Sequence, residues 1–143
     1  LHDRPSITQV KATQQASNAA YKAAGITAAD VDLAEVHDCF TIAELMATED
    51  LGFAERGQGG VFAREQRGVR NQGDVCINPS GGLKSKGHPL GATGTGQAVE
   101  VFKQLRGSVE DARQVRDAEI GITHNVGGSG ATCAVHVFGR DRR

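Results

Sequence analysis

Apolar positions in the first forty residues predict a helix followed by a short strand. Between residues 6 and 26, small and apolar side chains recur at helical spacing, at Ile7, Val10, Ala16, Ala20 and Ala23. Ser6 is a candidate N-cap, and Gly25 follows the last turn as a C-terminal stop. A stripe of such small side chains suits close packing on a sheet. The apolar run of residues 31–36 then predicts a strand.

A second helix is predicted over residues 41–51, shortly after that strand. Thr41 or Asp38 can cap its first turn, with Glu44 completing a capping box. The side chains expected to face inward are Ile42, Leu45, Met46 and Leu51, and Gly52 is expected to end the helix. Residues 53–75 place several glycines among charged residues, which predicts a long irregular excursion.

The second half of the chain combines a glycine-dense loop with a predicted hairpin. A short strand within residues 74–77 leads into the glycine-rich residues 78–96. A third helix is predicted over residues 92–106, with Ala98, Val101, Phe102 and Leu105 on its apolar face and Gly107 at its end. Two final strands are joined by a Gly-Gly-Ser-Gly turn, and Cys133, Val135 and Val137 share one face of the last strand.

The predicted order of elements is α-β-α-β-α-β-β, within one domain spanning residues 1–143. Helices that alternate with strands predict a layered α/β fold, here with a mixed sheet, an antiparallel hairpin at its end and helices on both faces. In such sheets ligands bind beyond the carboxyl ends of the strands. Three unusual segments follow predicted strands at that edge: residues 37–40, 78–96 and 125–130.

Composition and charge exclude several classes of function. The 143 residues carry a formal net charge of −1, so no basic field suggests a nucleic-acid partner. No apolar run approaches the roughly 20 residues of a membrane span. The chain has 3 cysteines, an odd number that does not predict a disulfide framework. We therefore expect a cytoplasmic protein without a membrane span.

The sequence Glu-Val-His-Asp-Cys-Phe, ending in the HDCF segment (residues 37–40), is the first candidate for chemistry. A thiol at Cys39 would lie near the first N–H groups of a helix, where a thiolate is favoured. A free cysteine is equally well explained as a small buried apolar side chain. His37, Cys39, His88 and His124 could also supply zinc ligands, but their spacing matches no known zinc motif, so we expect no metal.

Two glycine-rich segments offer groups that bind anions. His88 precedes a predicted helix, where an imidazole can donate a hydrogen bond to an oxyanion. A dinucleotide or phosphate loop is disfavoured, because Val99 breaks the Gly-x-Gly-x-x-Gly spacing. The turn at residues 125–130 could hold an anion on backbone N–H groups or serve only as a hairpin. His2, His136, Cys76 and Cys133 are expected to be structural, and Lys84 and Lys86 solvated.

Taken together, the three segments closely resemble the C-terminal half of thiolases. The matching sequences are EVHDCFTIAELMATEDLGF, NPSGGLKSKGHPLGATG and THNVGGSGA, in that order. The HDCF segment resembles the sterol-carrier-protein subgroup and its archaeal and bacterial relatives, whereas other thiolases carry Asn-Glu-Ala-Phe there. The resemblance covers residues 6–138.

This resemblance implies an acyltransferase that joins or cleaves acyl groups on coenzyme A thioesters by Claisen chemistry, with no cofactor beyond these substrates. It implies that His88 activates the nucleophilic cysteine and holds the thioester oxygen. Most thiolases carry an acid/base cysteine at the position of Asn125, and in the HDCF subgroup Cys39 takes its place. His37 resembles an oxyanion-hole side chain, and Gly127 resembles the glycine whose N–H binds the acyl oxygen.

The resemblance also implies parts that the sequence lacks. Asn78, Gly87 and Pro89 match the substrate loop, but the nucleophile-bearing N-terminal half and the first strand would precede Leu1. We therefore expect an incomplete sheet with an exposed apolar face, and an N-terminal half supplied in cis or by a separate chain, in a homo-oligomer. An alternative is a non-catalytic thiolase-like module for assembly with a partner chain. An aldolase or lyase is less consistent with the HDCF segment.

Overall fold

The computed structural model describes residues 6–140 and contains one four-stranded sheet. The elements in these residues are α1 (Lys11–Ala24), β1 (Leu33–Glu35), α2 (Thr41–Asp50), α3 (Gly59–Arg64), β2 (Cys76–Ile77), α4 (Gly82–Lys86), α5 (Thr93–Leu105), β3 (Ile120–Gly127) and β4 (Thr132–Gly139). A single 3-10 turn, Ala28–Asp30, precedes β1. The strand order is β2-β1-β3-β4. The predicted mixed α/β sheet with an antiparallel end hairpin is confirmed.

Strand β1 lies inside the sheet and is parallel to both of its neighbours. Leu33 is opposite Cys76 on one side and Gly121 on the other. Strand β4 runs antiparallel to β3 and pairs with it from Ile120↔Gly139 to Gly127↔Thr132. Because β1 is covered on both faces, all three of its residues are buried, including the charged Glu35.

Helices cover both faces of the sheet and form two apolar cores. On one face, α1, α2 and α3 pack against the sheet around Ala34, Val36, Leu51 and Ile122. On the other face, α5 packs through Val101 and Leu105 against Leu33 and Cys76. The helices on both faces are as predicted. No helix within residues 6–140 is long and apolar enough to cross a membrane.

Helix α1 begins later than the sequence indicates. Its N-cap is Val10 rather than Ser6, and the Oδ2 atom of Asp50 accepts the Val10 N–H at 2.7 Å. The cap is therefore supplied by the end of α2 in place of a local hydroxyl. The buried stripe is Thr13, Ser17 and Tyr21, and not the predicted alanines. Gly25 ends the helix at φ 69°, as predicted.

Helix α2 and the excursion after it differ in detail from the prediction. No side chain caps α2, since the Asp38 carboxylate bonds to α4 instead. Leu51 is buried, but Ile42 at the start of the helix is 60% exposed. The predicted irregular excursion contains α3, whose Phe62 is buried in the first core. Long-range packing decides these features, so local sequence patterns do not reveal them.

The C-terminal elements follow the prediction closely. Helix α5 ends before Gly107, which has φ 63°. Phe102 is the exception on its face, because it is 54% exposed and lies under the Arg106 guanidinium. Gly128 and Gly130 have positive φ in the hairpin turn. In β4, the half-buried residues alternate with exposed ones, as the sequence predicts.

Candidate active site

The imidazole rings of His37 and His88 are in contact at the carboxyl-end edge of the sheet. Their centroids lie 4.9 Å apart at an interplanar angle of 81°. His37 follows β1 and is buried, whereas His88 is exposed in the GHP loop (residues 87–92) between α4 and α5. The structure thus brings together two of the segments that the sequence singles out.

The surroundings of His37 favour the neutral form of its imidazole. Burial lowers its pKa, the neighbouring His88 lowers the pKa further, and the Asp38 carboxylate acts in the opposite direction. Its Nδ1 atom is buried and has no hydrogen-bond partner within residues 6–140. A buried polar atom without a partner is unusual in native proteins. The Nδ1 atom of His37 is therefore placed to hydrogen-bond with a group from outside the described residues.

The tautomer of His88 is defined by its neighbour on α5. The Nδ1 atom lies 2.8 Å from the Oγ1 atom of Thr93. Thr93 donates its single hydroxyl hydrogen to the Pro89 carbonyl at 3.1 Å, so it accepts a hydrogen bond from Nδ1–H. In the neutral ring, Nε2 is then unprotonated. Such a nitrogen can take a proton, and once protonated it can donate to an oxyanion.

Cys39 and His37 line one cavity of about 340 Å³. The cavity lies between α1, α2 and the β3–β4 turn. Its apolar side chains are Val10, Phe40, Ile42, Ala43, Met46, Ala47 and Val126. A cavity with apolar walls and a few polar groups at one place is typical of a small-molecule site. A larger cavity of about 500 Å³, between α2, α3 and residues 66–81, contains neither histidine nor Cys39.

Asn125 and Gly127 lie on the last part of β3. The Nδ2 atom of Asn125 donates to Gln97 Oε1 at 3.2 Å, and Gln97 donates from Nε2 to the His124 carbonyl at 3.0 Å. A methyl group on Gly94 would lie 3.3 Å from the Asn125 amide nitrogen. Gly127 has no room for a Cβ, because the Thr132 side chain occupies that space. The third predicted segment therefore packs against the start of α5.

The predicted substrate-loop residues have different positions. Asn78 has φ 50°, its Oδ1 accepts the Val36 N–H, and its Nδ2 donates to the Glu44 carboxylate. Gly87 has φ 91°, and the Pro89 carbonyl accepts the Thr93 hydroxyl. Asn78 thus bonds to Val36, directly before the HDCF segment, and to α2, whereas Gly87 and Pro89 are the chain neighbours of His88.

The sequence names His124 only as a possible zinc ligand, and the structure gives it a different place. It is 2% exposed, and its Nδ1 accepts the backbone N–H of His37 at 3.3 Å. Nε2–H therefore donates to Thr13 Oγ1 at 3.0 Å, and Thr13 donates to the sulfur of Cys133. Burial, aided by His37, lowers the pKa of His124 to about 4. The sequence places His124 next to Asn125 on a predicted strand, but it does not indicate the contact with the His37 backbone.

Other titratable groups have structural partners. Lys86 is not merely solvated, because its Nζ lies 3.0 Å from the Glu35 carboxylate, whose side chain is 1% exposed. Cys76 is buried in the second core, as expected for a structural thiol. His2 lies outside the described residues. Within residues 6–140, no three His, Cys, Asp or Glu side chains are grouped as metal ligands would be.

Comparison with known proteins identifies the family. The family model described as "Thiolase C-terminal domain-like" matches residues 1–140. The acetyl-CoA acetyltransferase of Methanothermobacter thermautotrophicus is 57% identical over 140 residues, which cover 98% of this chain and 36% of that protein. Human sterol carrier protein 2 is 45% identical over 120 residues, covering 83% of this chain and 21% of that protein.

Structural comparison agrees on the fold. The structure titled "Ltp2-ChsH2(DUF35) aldolase" superposes with a TM-score of 0.82 at 23% identity, covering 99% of this chain and 35% of that one. The chain spans about a third of the length of the acetyltransferase of M. thermautotrophicus. With the family match over nearly all of its residues, the chain belongs to the thiolase C-terminal domain-like family.

Proposed function

We propose that this chain supplies the acid/base and oxyanion-binding groups of a thiolase-type acyltransferase acting on coenzyme A thioesters. The observation that carries the proposal is the contact between the His37 and His88 rings, with Cys39 lining the same cavity as His37. Two imidazoles and a thiol fit a reaction in which negative charge develops on an oxygen next to a labile C–H bond. The acetyltransferase relatives support this reaction class.

The chemistry assigns each group one task. Cys39 as thiolate removes a proton from the α-carbon of one thioester, and the electron pair of the C–H bond moves onto the carbonyl oxygen. Hydrogen bonds from His37 and from His88 stabilise the enolate oxygen, and one such donor can contribute about 100- to 1,000-fold in rate. The enolate carbon then attacks an acylated cysteine, whose thiolate leaves and regains a proton. In the reverse direction the same groups cleave the carbon–carbon bond.

His88 also fits the activation of that nucleophile. With Nδ1–H bonded to Thr93, the unprotonated Nε2 can accept the proton of a thiol before acylation. The resulting imidazolium then donates to the thioester oxygen. We propose that the nucleophilic cysteine comes from outside this chain, because Cys76 is buried in the core and Cys133 is half-buried against Thr13.

The surroundings of the site favour a covering partner. Phe40 is 68% exposed, Ile42 is 60% exposed and Leu90 is 86% exposed, all in or next to the segments that carry the candidate residues. Apolar side chains grouped in this way mark interaction surfaces. We propose that the nucleophile-bearing part of the enzyme covers them. The alternative of a non-catalytic assembly module predicts the same surface but no reaction.

The test is a complementation assay. This chain alone should show no acetyl transfer between acetyl-CoA molecules, and activity should appear when the nucleophile-bearing N-terminal half is joined to it or added. A matched control joins the same half to a chain with His88→Ala. If the complete wild-type protein binds acetyl-CoA but forms no acetoacetyl-CoA and does not cleave it, the assembly module is the correct interpretation.

A further inference from the structure

Asp38 links His37 to the helix before His88, and it lines neither of the two cavities described above. It directly follows His37 in the HDCF segment and is 3% exposed. Its Oδ1 atom accepts the backbone N–H of Leu83 at 2.8 Å, and Oδ2 lies 3.5 Å from the N–H of Lys84. Both N–H groups are in the first turn of α4, the short helix that leads directly into His88.

The backbone of α4 is shaped to receive this carboxylate. A Cβ on Gly82 would collide with the carboxylate oxygens and would lie 2.8 Å from the Cγ atom of Asp38. Gly82 also has φ 66°, which other residues adopt only with strain. The close approach of α4 to Asp38 therefore requires glycine at this position for two independent reasons.

A second carboxylate holds the same helix from strand β1. Glu35 accepts hydrogen bonds from the Ser80 N–H and the Ser80 hydroxyl, and it pairs with Lys86 at the end of α4. The segment of residues 80–86 is thus attached at both ends to residues 35–38. Of the two attachments, Asp38 is adjacent in sequence to His37, so it couples the two histidines most directly.

We propose that Asp38 is a positioning residue that sets the separation of the His37 and His88 rings. It does so by bonding to the first turn of α4, where the carboxylate occupies the space that a side chain at Gly82 would fill. The inference rests on the proposed function for its kinetic consequences. A displacement of about 1 Å in a catalytic group can cost about 100-fold in rate. Loss of this attachment should therefore lower kcat, with a smaller effect on KM because neither residue lines the cavity beside Cys39.

The test uses the full-length polypeptide that carries this chain, with Gly82→Ala, Asp38→Ala, Asp38→Asn and the double variant Asp38→Ala/Gly82→Ala. Gly25→Ala is the matched control, because Gly25 has φ 69° but no atom within 4 Å of its missing Cβ. Gly82→Ala and Asp38→Ala should each lower kcat about 100-fold. Asp38→Asn keeps one acceptor for Leu83 N–H and should recover part of that loss.

Comparing the single and double variants distinguishes a positioning role of Asp38 from a general loss of stability. In the Asp38→Ala background the collision is gone and only the positive φ at residue 82 remains, which Gly25→Ala reproduces, so adding Gly82→Ala should lower kcat by less than about threefold, a strongly non-additive result. If the losses of kcat from the two single substitutions multiply in the double variant, the proposal is wrong. So would wild-type kcat in folded Gly82→Ala.

A structural measurement keeps the inference independent of the proposed function. Crystal structures of the full-length variants give the distance between the two ring centroids, which is 4.9 Å here. This distance should be retained in Gly25→Ala and should increase in Gly82→Ala and Asp38→Ala. If the wild-type protein shows no thiolase activity, the proposed function fails, while an unchanged ring separation in both variants refutes the role of Asp38.

Discussion

The hydroxyl of Thr93 accepts a hydrogen bond from Nδ1–H of His88 at 2.8 Å while donating its own hydrogen to the Pro89 carbonyl. Thr93 is 3% exposed in the first turn of α5, so water does not readily replace it. The relationship fixes which nitrogen of His88 is free to accept a proton. It gives a role in the site to a residue that the sequence presents only as part of a glycine-rich loop.

Replacing Thr93 tests this role. Thr93→Val keeps the shape of the side chain but removes the acceptor, so both tautomers and other ring orientations become accessible to His88. We expect acylation of the nucleophilic cysteine in the complete enzyme to slow by about 10- to 100-fold. Pre-steady-state acylation by acetyl-CoA measures this step. Thr93→Ser retains the hydroxyl and should acylate at near the wild-type rate; equal rates for Thr93→Val and wild type would contradict the assignment.

Buried His124 predicts a pH dependence of stability. Its pKa is about 4 in the folded chain and is expected near 6.5 when unfolded. Between these values the unfolded chain binds one more proton, so the free energy of unfolding falls as pH decreases, by about 1.4 kcal/mol per pH unit for this group. Burial also lowers the pKa of His37, so this residue too makes the free energy of unfolding fall as pH decreases.

The check is urea unfolding at pH 7 and pH 5 for the wild type and His124→Asn. Asparagine keeps an acceptor for the His37 N–H but does not titrate in this range. The variant should lose overall stability yet show a smaller decrease between the two pH values. An unchanged decrease would mean that another group is responsible.

The ion pair between Lys86 and Glu35 predicts an asymmetry between its two partners. The Lys86 side chain is 29% exposed and can be hydrated when unpaired, whereas the Glu35 side chain is 1% exposed. Lys86→Met leaves a buried carboxylate without its counter-charge and should cost up to about 3 kcal/mol. Glu35→Gln should cost less, about 1–2 kcal/mol. Chemical denaturation of both variants measures the difference, and the opposite order would refute this account.

Met46 lines the cavity beside Cys39, which we propose receives the acyl part of the substrate. Met46→Trp would fill much of this space. We expect kcat/KM for longer acyl thioesters to fall relative to acetyl-CoA, by about 10- to 200-fold for one excluded methylene, which costs about 1–3 kcal/mol. Met46→Leu conserves volume and should preserve the chain-length profile. An equal loss for all chain lengths would place the acyl group elsewhere.

Much of the fold could be predicted from the sequence, for identifiable physical reasons. Gly25 and Gly107 end helices in the left-handed conformation, and the alternation in β4 marks its half-buried face. Signals of this kind depend only on neighbouring residues, so they can be recognised without the tertiary structure. The convergence of the three segments was also predictable, because parallel strands end at the same edge of a sheet.

The parts that the sequence could not predict depend on long-range contacts. The cap of α1 comes from Asp50, 40 residues after Val10. Likewise, Asp38 is a plausible local cap for α2 but bonds to Leu83, 45 residues further along. The role of His124 depends on burial and on the His37 backbone, neither of which is visible in a sequence pattern.

The central claim is that Cys39 is the acid/base thiol and not the nucleophile. The most direct measurement is deuterium exchange at the α-carbon of acetyl-CoA in heavy water, made with the complete enzyme alongside mass spectrometry of the acylated protein. Cys39→Ala should abolish exchange while acylation of the nucleophilic cysteine survives, and Cys133→Ala, which removes another half-buried thiol, should retain both. Loss of acylation with intact exchange in Cys39→Ala would contradict the account.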